Sequence, residues 1–191
     1  MPFVMNWLHN VCKALRRPRS SASARYTMPE ALAGWFRVVE IDDAQAYAGA
    51  LFARCFRAVP PDFPRHYVAR VDVGGEERTI GYVHYSRLDD VYLCGGMCID
   101  DRVLRRLPSE RRARLKAAGG IAEQMLRYTF AELAHAKAIF GHVGDKRAGR
   151  VVLRAGFRPT EVEHLIVFWP QRMPAIEQRA LIERVAKLGP F

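Results

Sequence analysis

Residues 67–86 read YVARVDVGGEERTIGYVHYS, two runs of alternating β-branched and aromatic residues that meet at Gly74-Gly75. A glycine pair between such runs permits a tight reversal, so the segment predicts an antiparallel hairpin. Asp89-Asp90 ends the pair, and VYLCGGMCI at 91–99 follows as a third strand. Gly95 and Gly96 in its middle weaken pairing and mark a bulge or a close ligand approach. This antiparallel run, with no full G-x-G-x-x-G anywhere, argues against a dinucleotide-binding fold.

Around this hairpin the chain is well punctuated. WFRVVEI at 35–41 reads as a strand, and Asp42 and Asp43 are helix-start candidates. Ala44, Tyr47, Ala48, Leu51, Phe52, Cys55 and Phe56 then recur at helical spacing, an apolar stripe wide enough to face a core. AVPPDFP stops that helix. Ile121, Met125, Leu126, Thr129, Phe130 and Leu133 describe one side of another helix, and AIFGHVG reads as a short buried strand. KRAGRVVLRAGF is a helix ending at Gly156, HLIVFW closes the sheet, and an amphipathic helix over 174–188 packs on the core or meets a partner subunit. There is no internal repeat.

The net charge of +10 is localised. Residues 1–25 carry five bases and no acid, and residues 102–116 carry seven bases against Glu110, which leaves the rest of the chain at −1. Any anion-binding role therefore belongs to an N-terminal arm or to the Arg-rich segment. Because 25 of the 30 bases are Arg, a codon bias toward Arg is an equally good account of the excess. The arm, residues 1–30, reads as a helical or flexible extension to a domain over 31–191. No window approaches the roughly 18 apolar residues of a membrane span. The four cysteines form no paired C-x-x-C pattern, so we expect a reducing, cytoplasmic setting and no metal.

Two local motifs carry most of the chemistry. In AAGGIAEQML at 117–126, a Gly-rich turn at a helix start gathers open N–H groups and a positive dipole end, which suits a pyrophosphate. Arg112, Arg114 and Lys116 are placed to add charge-assisted contacts. In DKRAGRVVLRAGF at 145–157, Asp145, Ala148, Arg154, Gly156 and Phe157 fall in a second fixed register.

With the order strand, helix, hairpin, strand, Gly-rich turn, helix, strand, helix, strand, residues 35–170 resemble the GCN5-related N-acetyltransferase (GNAT) superfamily. The first motif is similar to the family's Q/R-x-x-G-x-G/A loop, with Gly120 and Ala122 at its last two defined positions. The resemblance implies an α/β fold with a mixed, mostly antiparallel sheet and helices on both faces. It implies an acyl-CoA co-substrate, acetyl-CoA first, whose pyrophosphate lies on Ala117, Ala118, Gly119, Gly120, Ile121 and Ala122. Its pantetheine arm and thioester would lie along Met97, Cys98, Ile99 and Asp100, where the family's strand splays from the next, here AIFGHVG. Acceptor choice would lie in loops 56–66 and 86–91. Three positions depart from the family: Ala117 stands where Gln or Arg is usual, Val152 where many members carry a thiolate-protonating tyrosine, and Asp145 where Asn is usual.

An amine nucleophile must lose a proton, which calls for a base near the splay. His142 is the candidate base and Tyr92 the candidate acid or orienter, Tyr92 and Cys94 projecting from the same strand face as Gly96 and Cys98. His84 is a candidate lining of the acceptor pocket. Cys94 and Cys98 read as small buried hydrophobes. The expected activity is acyl transfer to a primary amine of a small molecule or peptide, by a monomer or homodimer. The alternative is a catalytically degenerate binding module that engages nucleic acid or another polyanion through its basic arm and loop.

Overall fold

A computed structural model describes residues 26–62 and 65–191. Most of the basic extension therefore lies outside the described residues. Of its last part, Tyr26 donates a 2.6 Å hydrogen bond to Gln124 Oε1 and packs edge-on against Tyr128.

Seven strands form one sheet in the order β1-β2-β3-β4-β5-β7-β6. They are β1 (Phe36–Ile41), β2 (Arg65–Val73), β3 (Glu76–Leu88), β4 (Val91–Ile99), β5 (Ala138–His142), β6 (Arg158–Pro159) and β7 (Leu165–Phe168). Every neighbouring pair is antiparallel except β4 with β5. The expected α/β class and mixed, mostly antiparallel sheet are thus what the chain adopts.

Helix α1 (Ala44–Phe56) starts where Asp43 accepts a 2.8 Å bond from the Ala46 N–H, and it ends at Arg57 in the left-handed region before the prolines. The Arg-rich segment folds as α2 (Asp101–Arg106) and α3 (Ser109–Ala117), followed by α4 (Ile121–Glu132) and α5 (Lys146–Ala155), with α6 (Ala175–Ala186) last. Helices α2 to α5 cover one face of the sheet. There Tyr67, Ile80, Tyr85, Met125, Leu126 and Phe157 are fully buried, each worth roughly 1.5–3 kcal/mol. On the opposite face α1 packs over Val68, Tyr82 and Cys98, and α6 over Val91, Leu93, Phe140 and Val167. The core role expected for α6 falls on Leu181, Ile182 and Val185, while Ile176 stays exposed. The buried α1 stripe is narrower than the sequence predicts: Tyr47, Cys55 and Phe56 stay largely exposed, Phe56 at the margin where the helix end meets β4.

The glycine pair in β4 makes a bulge. Val83 faces Met97 and Tyr85 faces Cys94, so Gly95 and Gly96 together oppose His84 alone. The extra residue reverses the alternation of faces. Tyr92 and Cys94 point to the α4 side, and so do Met97 and Ile99 beyond the bulge, whereas Cys98 points to α1. The expectation that Tyr92, Cys94 and Cys98 share a face is therefore corrected by a one-residue phase shift.

Candidate active site

β4 and β5 part in the middle of the sheet. They pair from Val91↔Ala138 to Cys94↔Gly141, after which β5 continues against β7 and residues 95–99 of β4 have only β3 beside them. The Asp100 N–H donates to Ile80 O at 2.8 Å. By the alternation of an antiparallel ladder, Cys98 bonds to β3 as well, and the N–H and C=O groups of Met97 and Ile99 face the gap. This is the splay that the resemblance implies.

The Gly-rich turn lies beside the end of this strand. Gly81 on β3 is in contact with both: a Cβ there would lie 3.1 Å from Ile99 Cδ1 and 3.1 Å from Ile121 Cγ2. Gly119 and Gly120 do not offer their N–H groups outward, since these cap α3 on Lys116 O at 3.1 Å and Leu115 O at 2.8 Å. The open donors are one step on. The first α4 bond from outside the helix runs from Gln124 N–H to Gly120 O, so the N–H groups of Ile121, Ala122 and Glu123 have no intrahelical acceptor. Gly120 holds φ +91°, and a Cβ on it would meet nothing within 4 Å. The N-terminus of α4 therefore opens to solvent, with positive dipole end and free donors together.

A cleft of about 700 Å³ lies against this turn, walled by Leu104, Leu115 and Ile121 and ringed by Arg112, Lys116 and Arg154. Arg112 is anchored on Leu107 O at 2.6 Å. Arg154 was not singled out from the sequence as a ligand contact. It reaches Gly119 O at 3.3 Å and Glu123 Oε2 at 3.0 Å, and Glu123, nearly buried, also takes Arg127 at 2.9 Å. Three cations, three open N–H groups and a single paired carboxylate suit a polyanion such as a pyrophosphate.

The other expected contacts are placed as follows. Arg114 points to Glu110, its neighbour one turn back, and does not line the cleft. Ala117 lines it, while Ala118 accepts a hydrogen bond from Gln124 through its carbonyl. Asp100 caps α2 by accepting from the Arg102 N–H at 2.9 Å, and it pairs with Arg54. Asp145 likewise caps α5, accepting from Ala148 N–H at 2.8 Å and Arg147 N–H at 2.9 Å, bonds that lower its carboxyl pKa.

The two expected catalytic residues are not brought together. Tyr92 is buried on the α4 face, in the paired part of β4, with its hydroxyl 3.3 Å from His135 Nε2. His142 ends β5 on the α6 face, where it packs edge-on against His164 and Phe191.

A second histidine stands at the bulge. His84 Nε2 accepts a 3.3 Å bond from the Gly96 N–H, and its Nδ1 is buried without a hydrogen-bond partner. Burial, reinforced by nearby His66, holds its pKa down at about 4, so the imidazole is neutral at pH 7. It belongs to an aromatic box with Phe52, His66 and Tyr82, in which His66 Nδ1 and the Tyr82 hydroxyl are 2.8 Å apart. Among the described residues no three His, Cys, Asp or Glu side chains cluster in a way that could hold a metal, and no helix is long and apolar enough to cross a membrane.

No protein-family model matches this chain, and no curated protein does. Solved structures are similar to it. AtaTR bound with acetyl-CoA is 17% identical, over 78% of this chain and 98% of that one, with a TM-score of 0.42. The ribosomal-protein-S18-alanine N-acetyltransferase from Escherichia coli is 10% identical over 73% and 97%, with a TM-score of 0.42. A GNAT-family acetyltransferase from Bacillus anthracis is 14% identical over 56% and 67%, with a TM-score of 0.37.

Proposed function

We propose that the protein is an acyl-CoA-dependent N-acyltransferase that moves an acyl group, acetyl in the first instance, from the thioester directly to a primary amine of a small molecule or peptide. The observation that carries this reading is the contact of Ile99 and Ile121 through Gly81, which sets an unpaired strand edge beside an anion-binding helix start. A phosphate-bearing thioester needs both, at one extended ligand's reach.

In this reading Lys116, Arg112, Arg154 and the N–H groups of Ile121, Ala122 and Glu123 hold the pyrophosphate. The unpaired groups of Met97 and Ile99 hold the amide-bearing arm, and an N–H there donates to the thioester oxygen as charge develops on it. A preorganised donor of that kind is worth about 3–4 kcal/mol in the transition state. Attack by the amine forms the new C–N bond and expels the CoA thiolate. His142, at the far limb of the gap, accepts the proton the amine sheds. The thiolate takes a proton from solvent, Val152 having none to give.

Calorimetric titration with acetyl-CoA and with free CoA tests this, repeated on Gly120→Glu, whose carboxylate would enter the open N-terminus of α4. Micromolar binding that the substitution abolishes is the expected result. An intact protein that binds neither ligand would overturn the reading.

A second reading, a fold that binds nucleic acid without transferring an acyl group, draws on Arg102, Arg105 and Arg106. Among the described residues these are exposed on α2 outside any ion pair. It requires RNA affinity that falls steeply with salt, as counterions are released. A flat salt dependence would dispose of it.

A further inference from the structure

Three consecutive residues of the last turn of α1 meet three alternate positions of the splayed strand and its end. Arg54 pairs with Asp100, and the Phe56 ring lies over Gly96, 3.1 Å from where a Cβ would stand; between them Cys55 is set opposite Cys98, near enough to raise its pKa. Cys55 is exposed and Cys98 is buried beneath α1. An ion pair on one side and an aromatic contact on the other fix the helix against the strand, so Cys55 and Cys98 are kept facing each other across it. Cys94 points to the other face of the sheet, toward α4.

We propose that Cys55 and Cys98 form a dithiol modification site, which a low-molecular-weight disulfide of the glutathione type converts to an intramolecular disulfide that ties α1 to the splayed strand. The Cys55 thiolate attacks the small disulfide, forming a mixed disulfide and releasing one small thiol. Cys98 then loses its proton to solvent, and its thiolate attacks the Cys55 sulfur and releases the second small thiol. Two protein thiols are oxidised by two electrons, and one small disulfide is reduced to two thiols. The bond draws the sulfurs to about 2.05 Å. Cys98 stands between Met97 and Ile99, so the strand is pulled toward α1, out of the plane in which their N–H and C=O groups face the gap. That consequence rests on the acyltransferase reading; the disulfide itself does not.

Burial pushes the Cys98 thiol up to about 12, with Cys55 beside it adding to the shift. Ring closure is therefore the slow step, and it quickens about tenfold per pH unit as the thiolate fraction grows. The test uses the full chain in a Cys12→Ser background, incubated with glutathione disulfide and followed by intact mass and tandem mass spectrometry. The expected product is lighter by two hydrogens, joined Cys55 to Cys98, with Cys94 still alkylated after unfolding. In Cys98→Ser a glutathione adduct on Cys55 accumulates instead. A Cys55 adduct that persists in the parent as long as it does in Cys98→Ser even as the pH is raised, or a bond to Cys94, would overturn the proposal. Acetyl-CoA affinity is then compared before and after oxidation. A loss of at least about tenfold, reversed by dithiothreitol, supports the strand displacement, and unchanged affinity refutes it. A chain that binds no acetyl-CoA in either state counts against the acyltransferase reading, while the mass spectra still decide the disulfide.

Discussion

The imidazole of His84 lies so close over Gly95 that a Cβ on that glycine would stand 2.1 Å from Nε2. The same nitrogen takes the Gly96 N–H, so one side chain both fills and fixes the β4 bulge. Gly95→Ala must then expel the ring or distort the strand, at a cost of about 1–3 kcal/mol in chemical denaturation. His84→Ala removes the obstacle. In the double variant the two losses should fall short of their sum by 0.5 kcal/mol or more, as expected for residues in direct contact. Strict additivity would show that the ring is not what excludes a larger residue.

Acid should weaken the fold over a defined window. His84 is held neutral, its pKa lowered from 6.5 to about 4 by burial and then by His66, and burial lowers His66 as well. The unfolded chain binds these protons first, so stability is whole above about pH 6.5 and declines as the pH falls toward about 4. For His84 alone the decline amounts to about 3 kcal/mol at most. Urea titrations across this range should slope less in His84→Gln than in the parent. Equal slopes would place the linkage elsewhere.

Lys116 and Glu123 should act on the cleft with opposite sign. Lys116→Ala removes an exposed cation from its rim and should weaken CoA about three- to tenfold, with a shallower salt dependence. Glu123→Gln frees Arg154 and Arg127 from their shared carboxylate and should tighten CoA several-fold while costing about 1 kcal/mol of stability. Calorimetry reads the first pair of effects, and denaturation reads the last. Weaker binding in Glu123→Gln would mean that the carboxylate holds the turn in shape more than it opposes the anion.

Helix α6 is pinned by Arg184, which donates to Asp90 Oδ1 at 2.5 Å in the β3–β4 turn. Burial alone would raise the Asp90 pKa, but bonds from Arg184 and Lys137 outweigh it and hold it near 2. Arg184→Ala should lower the melting temperature by about 2–4 °C, in line with a loss of about 1 kcal/mol for a chain of this size. A shift within error would assign the docking of α6 to Leu181, Ile182 and Val185 alone.

Much of this architecture was legible in the sequence because its signals are local. Alternation around Gly74-Gly75 gave the hairpin, Asp42 and Asp43 marked the start of α1, and Gly95-Gly96 pointed to a bulge or a close ligand approach, of which the bulge is there. The facing of residues beyond the bulge was not legible, since it depends on His84 in another strand. Two-residue β6 is too short to leave a pattern. The Glu123–Arg154 pair joins positions 31 apart on two helices, and no periodicity relates them. The place of the Gly-rich turn was legible, but its hydrogen bonding was not: the glycine N–H groups serve α3, and those of Ile121, Ala122 and Glu123 have no acceptor within α4.

A sheet that parts at Cys94 carries an edge in its interior, where natural proteins seldom leave one uncovered. Any extended molecule with amide groups at strand spacing would be accepted there as a surrogate strand. Occupancy would then mend the sheet as well as fill a site, so a bound ligand should slow amide hydrogen exchange in β4 and β5 far beyond the atoms it touches.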